Sequence, residues 1–405
     1  MNVTQFADVY SWMVSHNSVF KDESKLDINY LPTCMLHRDY ESRLLMEFFS
    51  FLTRCPDRMT QRVIVTGEVG TGKTALCQIF GRNISVEIGK KGIKFRYIHV
   101  NCREYRGNLA QILHQAVTVF QPNFPIRGFS SEEILKTFLQ ILEEEQVFII
   151  LTLDEFDSLI EKEGSDTVYK LTRLQEIQNG KPQRVSFIFI QRNLSSLKNL
   201  DDSTQSTLQR NIVNLERYGK EPLTDILNDR VKLAFERYTI SEDVVELIAE
   251  LASTETGNAR FGIELLWRSG KYADAKDAER IDPECVRQAV SAIIPTVKRN
   301  EIEGLGTHEK MLLLAIARLF KENKEAYVTL TETEATYTIL CEEYEKEPNC
   351  HTQLWKYIQH FKQLGVIQTK VGSTSSRGRS TMISLPSIPA KELEAQLYNL
   401  LTRSL

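Results

Sequence analysis

Eight residues constrain this chain more than any other stretch: Gly67, Glu68, Val69, Gly70, Thr71, Gly72, Lys73 and Thr74 fit the spacing GxxxxGK[ST]. A short β-branched run, Arg62 to Thr66, precedes them, and from Ala75 onward apolar residues return at helical spacing. Glycines at 67, 70 and 72 let the backbone turn its own N–H groups onto an anion, and a helix opening near Gly72 aims its positive end at the same point. Lys73 is then expected to reach the β- and γ-phosphates of ATP or ADP and Thr74 to ligate Mg²⁺. Glycines in a solvent turn are the alternative, and the strand before and helix after weigh against it.

The second half of such a site is expected at the end of Val147-Phe-Ile-Ile-Leu-Thr-Leu153, an apolar strand that runs into Asp154 and Glu155. Asp154 would join Thr74 around Mg²⁺, and Glu155 would orient and deprotonate the attacking water. Either acid alone would read as a solvated strand end. A third element, Thr256-Gly257-Asn258-Ala259-Arg260, opens a helix; Arg260 there is either a surface arginine or one that reaches the γ-phosphate.

At 405 residues the chain has room for two or three domains. Around the phosphate loop, strands are expected at Phe95–Val100, Val147–Leu153, Val185–Ile190 and Ile212–Leu215. Helices at Asn108–Phe120 and at Ser131–Glu144, with Ser131 as N-cap, alternate with them. Such alternation gives an α/β fold with a parallel sheet and helices on both faces. After Glu216 the pattern turns all-helical: 223–238, 242–252, 259–274 and 283–294. Pro295 and the glycines at 304 and 306 mark a boundary, and the last hundred residues read as a small α+β domain closing with a β-hairpin. Phe6, Val9, Tyr10 and Met13 suggest a short amphipathic helix at the start.

The net charge of −4 gives no whole-molecule field for nucleic acid, so any such partner must meet a local patch. One exists. Between Pro348 and Lys391 there is no Asp or Glu, while Lys356, Lys362, Lys370, Arg377, Arg379 and Lys391 fall inside. A helix over Thr352–Leu364 would turn Leu354, Ile358 and Phe361 inward and leave His351, Thr352, Gln353, Lys356 and His360 outward. Arg377, Gly378 and Arg379 suit a wing that enters a minor groove of duplex DNA. A solvated hairpin tip and an ordinary helix face are the alternative. A second acid-free stretch, Tyr105 to Ser131, holds Arg106, His114 and Arg127 and is balanced between packing and binding. Trp12, Trp267 and Trp355 are assigned to core or domain contacts. Seven scattered cysteines without a CxxC pair argue for a reducing cytosol, and no leader or apolar span points to a membrane.

Taken together, Tyr30-Leu-Pro32 with His37 and Arg38, GEVGTGKT, LDEFDSL at 153–159, GNARFGIELL at 257–266 and the carboxyl-terminal pattern resemble the archaeal origin-recognition and replication-licensing initiators, within the AAA+ ATPases. The resemblance runs from about Val19 onward. It implies a AAA+ base over 21–217 behind an amino-terminal helix at 1–20, an all-helical lid over 218–300 and a winged-helix DNA reader over 301–405. It further implies that Tyr30, Pro32, His37 and Arg38 border the adenine and that Arg260 is the lid's sensor. ATP or ADP with Mg²⁺ as cofactors, and a cytoplasmic, nucleoid-associated protein, follow from it too. So do the partners: origin duplex DNA, initiator paralogues and the replicative helicase.

Two departures stand out. Arg192 occupies the place of the family's polar sensor, with Asn193 one residue on, and Asp201-Asp202-Ser203 stands where the family has Asp-Pro-Arg with its arginine finger. Since such a finger is worth on the order of 10³ or more in rate, hydrolysis is expected to be slow and the nucleotide to act as a conformational switch; Arg210 is a weak substitute. The alternative is a hydrolysis-deficient paralogue serving as a DNA-bound regulator or transcription factor.

Overall fold

The β-branched run before the phosphate loop folds as β1 (Arg62–Gly67), and the loop feeds directly into the helix Lys73–Gly89. A computed structural model describes residues 18–174, 182–208, 211–255, 257–293, 302–323, 325–373 and 379–402. The amino-terminal helix with Trp12, and also Arg210, Thr256, Pro295, Arg377 and Gly378, lie outside the described residues. These residues form two compact units, one of them Leu31–Pro222 with Gly257–Ala259 and the other the remainder.

In the first unit β1 is joined by β2 (Phe95–Asn101), β3 (Phe148–Asp154), β4 (Val185–Gln191) and β5 (Ile212–Leu215) in the order β2-β3-β4-β1-β5. Every pairing is parallel, with Thr66 opposite Gln191 and Asn101 opposite Asp154. Alternation along β3 explains the two-sided burial: Ile149, Leu151 and Leu153 pack with the helices Leu109–Thr118, Ser131–Glu144 and Asp157–Thr172. Ile150 meets the opposite layer, made by Asp39–Phe49 and the helix after the phosphate loop. The carboxyl ends of β1, β3 and β4 therefore share one edge, where an open parallel sheet binds its ligands. The N-cap of Ser131–Glu144 is Ser130, not Ser131: its hydroxyl accepts the Glu133 N–H and the Glu133 carboxylate accepts from Ser130 in return, a reciprocal capping box.

The second unit begins with helices, Lys220–Ala234 (mostly within it), Glu242–Glu255, Ala259–Asp274 and Pro283–Ile293. It continues with Thr307–Asn323, Leu330–Glu343 and His351–Gln363, and a three-stranded antiparallel sheet β6-β8-β7 formed by β6 (Val328–Thr329), β7 (Gln368–Ser373) and β8 (Arg379–Ser384). The expected closing hairpin is present as β7 and β8, but the domain ends with one more helix, Ala390–Thr402, which packs on Thr307–Asn323. The architecture is thus a parallel α/β core, a helical lid and a carboxyl-terminal winged helix.

One side chain fastens the lid to the winged helix. Arg287 on Pro283–Ile293 is fully buried; its guanidinium donates to the carbonyls of Leu385 and Glu325, pairs with Glu284 at 3.1 Å and lies 4.3 Å from the Phe320 ring centroid. Burial disfavours its charge, and the group is tolerated because each of its three nitrogens finds an acceptor.

Candidate nucleotide site and nucleic-acid surface

The phosphate loop has the backbone its sequence requires. Gly67, Gly70 and Gly72 adopt φ of 150°, 78° and 89°, and Gly72 serves as the left-handed N-cap of the helix that follows, with Ala75 in its first turn. Glycine at 70 has a second cause. A Cβ there would lie 1.5 Å from Oδ1 of Asn258, and the Ala259 N–H donates to the Gly70 carbonyl at 3.2 Å. Asn258 thus fills the room that a side chain on the loop would take, a contact the sequence did not disclose.

Within the loop, the Lys73 ammonium donates to the carbonyls of Gly67 at 2.6 Å and Glu68 at 2.8 Å, Thr71 is buried with its hydroxyl on the Glu68 carbonyl, and Val69 is exposed. The Thr74 hydroxyl donates to Asp154 Oδ2 at 2.7 Å, so the two expected magnesium ligands are side by side. They fit a magnesium ion: hard oxygen donors, one of them a carboxylate, with the remaining positions left to water and phosphate. Among the described residues no group of three or more His, Cys, Asp and Glu is arranged to hold a metal ion. Asp154 is buried, yet its carboxyl lies below its ordinary range; burial raises it, and hydrogen bonds from His99 and Thr74 outweigh that.

Glu155 follows at φ 50°, left-handed for a residue with a side chain, and Arg103 approaches its carboxylate to 3.8 Å. Arg192, at the end of β4, is tied to the loop twice: its carbonyl accepts the Gly67 N–H and its guanidinium meets Glu68 at 3.2 Å. Asn193 is used locally, capping the Ser195 N–H. Asp201 caps the helix Asp202–Leu208 and accepts from Ser165 and Thr204, which, with Ser165 first, hold its carboxyl down to about 2. Ser203 is exposed on that helix.

Of the four residues expected around an adenine, Arg38 is buried and saturated. It donates to the Tyr218 hydroxyl, to the carbonyls of Thr71 and Glu216 and to Glu41, and stacks on the Tyr218 ring at 4.1 Å. These contacts brace the loop. His37 is exposed at φ 58° and Pro32 is half-buried. Met35 and Tyr218, unnoticed in the sequence, are the side chains a Cβ at Gly72 would meet. Tyr30 and Arg260 belong to the other unit: Tyr30 lies between Lys25 and Arg230, and Arg260 is exposed in the first turn of its helix.

On the winged helix, Leu354, Ile358 and Phe361 are buried as the spacing requires. His351 pairs with Glu334 and His360 with Glu309 at 2.7 Å, so both histidines are engaged by carboxylates. Thr352 and Lys356 are exposed and Gln353 is half-buried. Trp355, assigned to a core or domain contact, is 38% exposed beside Lys356 and so lies outside the core, while Trp267 is half-buried and donates to Glu23. Lys370 sits over the Tyr327 ring at 3.3 Å, and the Tyr327 hydroxyl donates to Glu250 of the lid. Arg379 opens β8. In the first unit Arg127 is exposed between Ile126, 82% exposed, and Phe129, which stacks on Phe124.

Three family models match the chain: an AAA domain over residues 58–197, a Cdc6 AAA+ ATPase-type lid domain over 224–291 and a CDC6 carboxyl-terminal winged helix domain over 300–395. An ORC1-type DNA replication protein 2 of Sulfolobus acidocaldarius is 30% identical over 381 residues, 92% of this chain and 92% of its own length. The crystal structure of Cdc6p from Pyrobaculum aerophilum superposes with a TM-score of 0.84 at 28% identity, covering 96% of this chain and 100% of that one. An Aeropyrum pernix ORC1 protein in complex with DNA gives 0.61 at 26% identity, with coverage of 96% and 100%.

Proposed function

Because this chain belongs to the ORC1/Cdc6-type family of DNA replication proteins, we propose that it is an ATP-binding initiator that recognises origin duplex DNA, with the nucleotide as a slow conformational switch. The observation that carries the reading is the pairing of a built phosphate loop, with Thr74 on Asp154, and an acid-free segment from 348 to 391 on a winged helix. The Aeropyrum relative is seen in complex with DNA, which supports DNA as a ligand of this chain. In this reading Lys73 and the loop N–H groups hold the phosphates, Thr74 and Asp154 would hold magnesium, and Glu155 orients water. Met35 and Pro32 with His37 line the base, and Arg260 responds to the γ-phosphate. We take 21–217, 218–300 and 301–405 as the working domain limits, and a nucleoid-associated protein meeting initiator paralogues and the replicative helicase as its setting. No described helix is long and apolar enough to cross a membrane.

Binding of the full-length protein to origin duplex tests the reading. With about five phosphate contacts, log K against log salt should fall with a slope of roughly −4.5. Arg377→Ala with Arg379→Ala should flatten it by roughly two units. A salt-independent affinity would remove the DNA assignment. Footprints with and without ATP then locate the site.

Turnover is the second test. Ser203 on a capped helix offers no finger, and Arg192 is engaged with Glu68. Purified protein alone is expected to hydrolyse far less than one ATP per minute; many turnovers per minute would sink the switch. Ser203 also favours a second reading, a regulator that keeps its nucleotide and never turns it over. Stoichiometric retained ATP without measurable phosphate release would select it.

A further inference from the structure

β2 carries two polar side chains that neither the nucleotide reading nor the DNA reading uses. Tyr97 and His99 alternate on one side of the strand, opposite Ile150 and Thr152 of β3, and both lead to Asp154. His99 Nε2 lies 3.2 Å from Asp154 Oδ2, the oxygen that also accepts the Thr74 hydroxyl, while Oδ1 accepts the Glu155 N–H at 2.8 Å. Behind the ring, His99 Nδ1 lies 3.3 Å from the Tyr97 hydroxyl, and that hydroxyl accepts from Thr152 at 2.9 Å.

The direction of this chain fixes the imidazole. Tyr97 receives the Thr152 proton and has one of its own to give, which goes to Nδ1. A neutral ring then keeps its proton on Nε2, aimed at the carboxylate. Packing holds the relay in place as well. The Tyr97 ring lies where a Cβ on Gly81 would stand, 2.3 Å away, so β2 reaches the phosphate-loop helix only because residue 81 has no side chain. His99 is half-buried and Asp154 is nearly enclosed, which makes each of these bonds stronger than its counterpart in water.

We infer that His99 is a positioning residue for magnesium: with Thr152 and Tyr97 behind it, it fixes the Asp154 carboxylate in the orientation from which that group and Thr74 receive the nucleotide's ion. A carboxylate held by Thr74 alone could pivot about its Cβ–Cγ bond. Held also through His99 and the Glu155 N–H, both oxygens are committed. The inference rests on the nucleotide reading, and its test separates the two.

Retention of a fluorescent ATP analogue by the full-length protein is titrated with Mg²⁺, and measured again in excess chelator. His99→Phe should raise the half-saturating Mg²⁺ concentration about 10- to 100-fold while leaving chelator-phase affinity within about twofold. His99→Gln, whose amide can still donate, should recover most of the loss, and Tyr97→Phe should fall between. Should His99→Phe fail to fold, the Gln and Tyr97→Phe variants carry the comparison. An unshifted Mg²⁺ midpoint in these variants, or an equal loss with and without Mg²⁺, would overturn the inference. Equal retention by the native protein and Lys73→Ala would overturn the nucleotide reading, and this inference with it.

Discussion

Replacing Lys73 with alanine is expected to strip the protein of ATP and ADP. The ammonium would make at least two charge-assisted bonds to phosphate oxygens at about 1.5–3 kcal/mol each, so affinity should fall roughly 10²- to 10⁴-fold. The side chain lies along the loop, where it donates to the carbonyls of Gly67 and Glu68, bonds that it would exchange for phosphate oxygens. Alanine removes the charge and keeps the helix, since it is the best of helix formers. Nucleotide content of the purified variant decides the matter, and a native level would disprove the phosphate-loop assignment. DNA binding measured on the same sample shows whether the winged helix depends on the occupied loop.

The second large effect is expected at Arg287. Its burial is complete and its donors are spread over two carbonyls of the winged helix and a carboxylate of its own helix. Truncation to alanine leaves Glu284 in a poorly hydrated site and two acceptors unpaired, which should cost about 3–5 kcal/mol. Glu284 also accepts the Ala390 N–H, so a charge abandoned there strains the start of the last helix. Arg287→Met together with Glu284→Gln should recover part of the loss, because the expense of a buried pair lies mainly in stranding one member. Denaturation of the single and double variants measures both. A loss below about 1 kcal/mol for Arg287→Ala would show that the lid and the winged helix are held by apolar packing alone.

What could be read from the sequence follows a physical divide. The phosphate loop, Asp154 and the five strands were legible because their signals are local: fixed glycine spacing, β-branched runs and an acid at a strand's end. The inward face of His351–Gln363 was legible for the same reason. Contacts that depend on pairing were not. His99 reads as one polar residue in a strand until β2 is laid beside β3, and Asn258 gives no sign that it rests on Gly70. Arg38, expected near a base, is drawn into the protein by Tyr218 and two carbonyls that lie far away in sequence. Leu330–Glu343 carries a weak signal because its buried side includes Thr333, Tyr337 and Cys341, which blur the apolar period. Asp157–Thr172 is interrupted by a non-helical Gly164, which breaks the helical period in its sequence. Trp355, read as a core or domain contact, is 38% exposed, because ring size alone does not tell which side of a helix faces the core.

The meeting of Asn258 with Gly70 has a consequence for how such a chain can change. A side chain at 70 must evict the Asn258 amide, whose Oδ1 stands 1.5 Å from where its Cβ would lie. Two sites remote along the polypeptide are therefore coupled in one direction: enlarging residue 70 displaces the Asn258 amide in addition to straining a left-handed backbone, whereas trimming residue 258 leaves the loop its glycine.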